Sequence, residues 1–197
     1  MNRREALKKT GLLGGAALLS TALITLLDSC QTQERLTWEP QFLNIDQAQL
    51  ITALVDTILP KTDTPGALDV KVDIFLDLVF AKMYDQQAQQ QLVKEMDQFS
   101  QTCQKKFGKD FYRLDAKQRT AILEAEEANA PKFARKVWGR PVEKQEPVGF
   151  YRSIKSMAIW AYCTSEEVGK NVLQYDPIPG DYQGCIPFAE VGKVWSL

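Results

Sequence analysis

An apolar helix running straight into a segment that cannot be helical is the strongest constraint on this chain. From Gly149 to Pro187 it reads GFYRSIKSMAIWAYCTSEEVGKNVLQYDPIPGDYQGCIP. Phe150, Tyr151, Ile154, Met157, Ala158 and Ala161 recur at helical spacing, and Ile159, Trp160, Tyr162 and Cys163 widen the stripe until little of the later surface is polar. Such a helix needs cover on several sides, so the rest of the chain has to pack around it. Thr164 is placed to cap a second helix, with Glu167 in the capping-box position, and Gly169 leaves room for close approach. Beyond Leu173, the groups Asp176-Pro177, Pro179-Gly180-Asp181 and Gln183-Gly184-Cys185 prevent a regular helix, while Tyr175, Ile178, Tyr182, Ile186 and Phe188 require cover.

The upstream chain supplies the packing partners. Asp46, with Gln49 three residues on, reads as the capping box of a helix that continues through Leu50, Leu54 and Ile58 to Leu59 and stops before Pro60. Lys61 to Gly66 is then a constrained loop in which Asp63 and Thr64 bond nearby backbone groups; it lacks the repeated oxygen positions of an EF-hand. Leu68 to Tyr84 reads as a second helix, with Val72, Phe75, Leu76, Val79, Phe80 and Met83 on a broad apolar face and Asp69, Lys71, Asp73, Asp77 and Lys82 toward solvent. A third begins near Gln87 or Ala88 and carries Leu92, Met96, Phe99, Cys103 and Phe107 to a stop at Gly108. Asp115 and Gln118 announce a fourth, reaching Glu126 or Glu127. Pro131 opens a short segment with Phe133, Val137 and Trp138, and Gly139 to Pro147 is the polar connection to the last helix. With no internal repeat and no strong strand alternation, the expected fold is all-α, an irregular bundle of five or six helices with a loop-rich C-terminal extension.

Residues 1–29 are set apart from this fold. Arg3, Arg4, Lys8 and Lys9 precede a mostly apolar run from Gly11 to Leu27, the pattern of a signal peptide whose basic end stays cytoplasmic, with retention as an N-terminal anchor as the alternative. Arg3-Arg4 reads as a twin-arginine export signal and Leu27-Asp28-Ser29-Cys30 as a lipoprotein processing box with Cys30 the lipidated residue, although Asn2, Ala6 and Asp28 are unusual in these motifs. Residues 30–41 form the anchor and linker, and 42–197 a single helical domain with its tail. Cleavage removes four of 24 basic and two of 25 acidic residues, leaving 20 against 23 and a net charge of −3. That balance gives no basic face for nucleic acid.

The chemistry available to this chain is limited by what it lacks. It contains no histidine, which removes histidine triads, histidine zinc sites and histidine-ligated haem. Glu124, Glu126 and Glu127 resemble a carboxylate cluster, but there is no Glu-x-x-His partner and they read as a solvated helical face. No Gly-rich strand-to-helix junction forms a dinucleotide cradle, and the cysteines lack CxxC spacing. Cys103, Cys163 and Cys185 are an odd set once Cys30 is lipidated. Cys163 reads as a small core residue and Cys185 as a partner-facing thiol. The expectation is a chain with no catalytic, cofactor-binding or metal-ligating residues of its own.

Two long segments carry a resemblance. The run FYRSIKSMAIWAYCTSEEVGKNVLQYDPIPGDYQGCIP resembles the C-terminal signature of the gluconate 2-dehydrogenase subunit 3 family, and ALVDTILPKTDTPGALDVKVDIFLDLVF, from Ala53 to Phe80, resembles an upstream motif of that family. The resemblance implies a non-catalytic small subunit that stabilises, exports and membrane-associates a large FAD-dependent dehydrogenase of the glucose-methanol-choline type. That large subunit would hold the FAD and oxidise a sugar, sugar acid or related alcohol, often with a cytochrome c subunit taking the electrons. It implies a location on the periplasmic side of the envelope and a partner interface at Asp63, Thr64, Pro65 and Gly66 in the loop and Tyr175, Tyr182, Cys185, Ile186 and Phe188 in the tail. The competing reading is a stand-alone envelope lipoprotein that acts as a binding module.

Overall fold

The computed structural model describes residue 36, residues 38–134, 136–137, 140–141, 147–175, 178, 180 and 185–195. Arg3, Arg4, Cys30, Trp138 and Tyr182 lie outside the described residues. The described residues form five long helices: α1 Ile45–Ile58, α2 Val72–Lys82, α3 Gln86–Phe107, α4 Ala116–Asn129 and α5 Phe150–Cys163. Shorter pieces are a 3-10 turn Phe111–Arg113, a π-helical turn Val168–Val172 and a terminal turn of helix, α6, at Phe188–Val191. A two-residue antiparallel ribbon, β1 Lys136–Val137 with β2 Arg140–Pro141, lies between α4 and α5. The fold is the expected irregular helical bundle.

Its centre is α5, which packs against α1, α2, α3 and α4. Phe150, Tyr151, Ile154, Ala158 and Ala161 are buried along one face. Phe150 meets Phe99 of α3 at 5.4 Å between ring centroids, and Phe99 meets Phe111 at 5.5 Å. The predicted cover is nevertheless incomplete. Ile159 and Trp160 stay exposed, and so does Cys163, which is therefore not the core residue its sequence context suggests. Thr164 does not cap a following helix either, because its hydroxyl bonds back to the Trp160 carbonyl at 2.8 Å and closes α5 itself.

Local chemistry sets most helix ends as expected. Gly108, at φ 67, takes the left-handed conformation that ends α3, whereas the helix starts at Gln86, slightly earlier than expected, where Asp85 accepts from the Ala88 amide. Asp115 and Gln118 form a reciprocal capping box on α4. At α1 the box sits two residues earlier than expected, on Asn44 and Gln47 rather than Asp46 and Gln49. The earlier register buries Leu43 before the cap and turns Gln49 inward. The second helix starts at Val72, four residues later than expected, because Lys71 is left-handed at φ 58 and the chain turns before it.

The largest departure from expectation is the placement of two acids. Asp73 and Asp77 were expected at the surface of α2, but they are 5% and 1% exposed. Asp77 accepts from the backbone amides of Gln41, Phe42 and Leu43 at 2.6, 3.2 and 2.9 Å. Asp73 accepts from the Trp38 indole at 3.2 Å and from the Thr52 hydroxyl at 2.9 Å. The segment Trp38 to Leu43 is thus a strap, and α2 holds it through groups that a buried backbone would otherwise leave unpaired.

Candidate functional site

The loop after α1 is closed by its own polar groups. The Ala67 amide bonds the Leu59 carbonyl at 2.8 Å, the Thr62 amide the Thr64 carbonyl at 3.1 Å, and the Gly66 amide the Asp69 carboxylate at 2.8 Å. Lys61 pairs with the other oxygen of Asp69 at 3.1 Å. The Gly66 amide, followed by Lys61, holds the Asp69 carboxyl below its ordinary value. The local bonds expected of Asp63 and Thr64 are thus made chiefly by Thr62 and Asp69, because those groups face the backbone as the loop folds over. Gly66 is required by close approach, since a Cβ there would lie 2.7 Å from the Lys61 amide nitrogen.

The fold brings the two long sequence motifs together at this loop. The Tyr162 hydroxyl of α5 donates to the Pro65 carbonyl at 2.7 Å across 97 residues of sequence. Asp63, Thr64 and Pro65 form one wall of an open groove of about 810 Å³, and Ser165, Glu166, Glu167 and Lys170 form the facing wall. Its charges are mixed: Lys170 pairs with Glu166 at 2.6 Å. Nothing in this lining pairs a nucleophile with a base.

The tail beyond α5 folds back on itself at one point. The Gln174 amide donates to the Val194 carbonyl at 2.8 Å, within an isolated parallel bridge between Gln174 and Trp195. In this tail Tyr175, Cys185, Ile186, Val194 and Trp195 are exposed, and Phe188 on α6 is 73% exposed. Val194 and Trp195 join the apolar tail residues read from the sequence; their wide spacing hid them until the bridge brought them beside Tyr175. Cys103, in contrast, is buried, and burial above all pushes its thiol up to about 12, so it is inert at neutral pH.

Glu127 is not the simple solvated acid expected of α4. The helix has no basic residue in its last turn, and Arg152 of α5 reaches across to donate to the carbonyls of Glu127 and Ala130 at 3.1 and 3.4 Å. Arg152 also pairs with the Glu127 carboxylate at 2.9 Å, as does Lys155 at 2.9 Å. The Lys155 bond first, and Arg152 after it, hold the Glu127 carboxyl below its ordinary value of 4.5. A depressed folded-state value stabilises the fold above the ordinary carboxyl range and loses that contribution as pH falls through the folded value. Glu127→Gln should therefore lower the melting temperature by about 1 to 3 °C at neutral pH, with the gap to wild type closing below the ordinary glutamate value. Thermal unfolding of both proteins across the acid range checks this, and a gap that persists at the acid end would contradict it.

Among the described residues no three Cys, Asp or Glu side chains gather as metal ligands, and no described helix is long and apolar enough to cross a membrane. No curated protein and no solved structure matches the chain. Residues 45–180, which contain both the loop and α5, match the family described as Gluconate 2-dehydrogenase subunit 3.

Proposed function

The chain belongs to the gluconate 2-dehydrogenase subunit 3 family, and from that membership we propose that it is the non-catalytic small subunit of an oxidoreductase complex. The large subunit carries FAD and oxidises a sugar, sugar acid or related alcohol, and a cytochrome c subunit accepts the electrons. The family match carries this reading, because it spans the closed loop and the central helix together rather than one short motif. The large subunit docks on Asp63 to Gly66 and on Tyr175, Tyr182, Cys185, Ile186 and Phe188. The exposed apolar residues of the tail support that assignment, since contiguous apolar surface is the usual core of a subunit interface. Arg3 and Arg4 direct the assembled complex across the cytoplasmic membrane, and lipid on Cys30 holds it at the periplasmic side of the envelope.

Purification of the tagged chain without denaturant tests the assignment. A stoichiometric flavoprotein should accompany it, and the chain separated from that partner should show no flavin absorbance. Phe188→Ala should weaken assembly by about 1 to 3 kcal/mol if this residue is central to the interface, with the melting temperature of the isolated chain unchanged. Recovery of a ligand-bound monomer instead would favour a stand-alone lipoprotein.

A further inference from the structure

The second helix turns the usual polarity of a surface helix inside out. Its acids, Asp73 and Asp77, are spent in the interior on the strap, while Ile74, Phe75, Leu78, Val79 and Met83 follow one another at three- and four-residue spacing on the opposite side. None of these five is buried, and Met83 is 78% exposed. Trp160 of α5 extends the stripe: its ring lies 5.6 Å from that of Phe75 and is 52% exposed. Lys71 and Lys82, both exposed, bracket the stripe at its two ends. A helix with an apolar outward face between two lysines has not completed its burial within this fold.

The geometry points to a membrane surface as the occupant, with the stripe seated at headgroup level and Lys71 and Lys82 against the anionic phosphates. The tether selects it. Trp38, at the start of the strap, is bonded to Asp73 on the inward side of α2. Trp38 follows Cys30 by only eight residues, which span at most about 29 Å even when fully extended. A lipid on Cys30 therefore keeps this helix close to the bilayer. Tryptophan and phenylalanine suit the interfacial layer, and lysine stems can lie along it with their charges in the headgroups. Neither acid of the helix opposes an anionic surface, because both are turned inward. The inference rests on the lipid attachment proposed above, which by itself leaves the orientation of the domain open; the stripe fixes it.

The test uses the protein as isolated from membranes, reconstituted into vesicles of phosphatidylethanolamine and phosphatidylglycerol with brominated acyl chains. Bromine should quench tryptophan emission, and Trp160→Phe should remove at least half of that quenching. Met83→Glu, at the most exposed position of the stripe, should reduce the quenching of Trp160 severalfold with an unchanged circular dichroism spectrum, whereas Met83→Leu should not. Emission untouched by bromine, or quenching indifferent to Trp160→Phe, overturns the proposal. So does a Met83→Glu protein that stays quenched but loses its flavoprotein, or falls from a dimer to a monomer, since the stripe is then a protein interface. Intact mass separates lipid attachment from seating of the stripe. Absence of acyl chains on Cys30 with quenching retained removes the anchor and leaves the stripe, while acylated protein with unquenched Trp160 removes the stripe and leaves the anchor.

Discussion

Replacing Asp77 with alanine should lower the free energy of unfolding by about 3 to 5 kcal/mol, a large fraction of the stability of a domain this size. The carboxylate is 1% exposed and receives three backbone amides, those of Gln41, Phe42 and Leu43. Alanine leaves the buried Leu43 amide without its acceptor, at about 1 to 3 kcal/mol, and removes the two charge-assisted bonds from the part-buried amides of Gln41 and Phe42. The strap can respond by peeling away, which relieves the donors but uncovers Leu43 from the core. Asp77→Asn keeps one acceptor oxygen and should cost roughly half as much. Urea denaturation gives the two free energies, and amide exchange should show residues 41–43 losing protection before the helices do. A loss below about 1 kcal/mol for the alanine variant would mean that the strap is held chiefly by other contacts.

The second large effect concerns export. Lysine at positions 3 and 4 preserves the positive charge of the N-terminus but removes the guanidinium pair of the proposed export signal. With both arginines replaced, this protein and the folded flavoprotein should remain in the cytoplasm, a near-complete loss rather than a graded one. Cys30→Ala acts at a different step: export should proceed and lipid attachment should fail. Several acyl chains anchor far more firmly than one, so labelling with a fatty acid and fractionation of the envelope separate the two defects. Normal export of both proteins by the lysine pair, or passage of the partner in cells lacking this chain, would show that the two do not share one export signal.

Much of this fold is legible locally because its determinants lie within a turn or two of each other. The Asp115–Gln118 box, the Asp85 cap and the Gly108 stop each satisfy helix-end groups with neighbours three or four residues away, and Leu92, Met96, Phe99 and Cys103 announce the buried face of α3 by spacing alone. The same locality explains the misplaced cap of α1. Asn44-x-x-Gln47 and Asp46-x-x-Gln49 are both complete capping boxes in sequence, and the choice fell to whether Leu43 and Gln49 could be buried.

The two long motifs were likewise readable, while their juxtaposition was not: the bond from Tyr162 to Pro65 crosses 97 residues of sequence. Glu127 reads as a solvated acid until α5 swings Arg152 and Lys155 beside it. By itself the sequence determined the helical class, most helix ends and the central apolar helix, because backbone capping and a three- to four-residue apolar period are properties of the chain alone. Tertiary structure decided the direction of α2. In a helix where most positions are apolar, spacing cannot say which side faces water, and the strap's backbone donors, 34 to 36 residues away from Asp77, drew the acids inward and left Ile74, Phe75 and Met83 facing out.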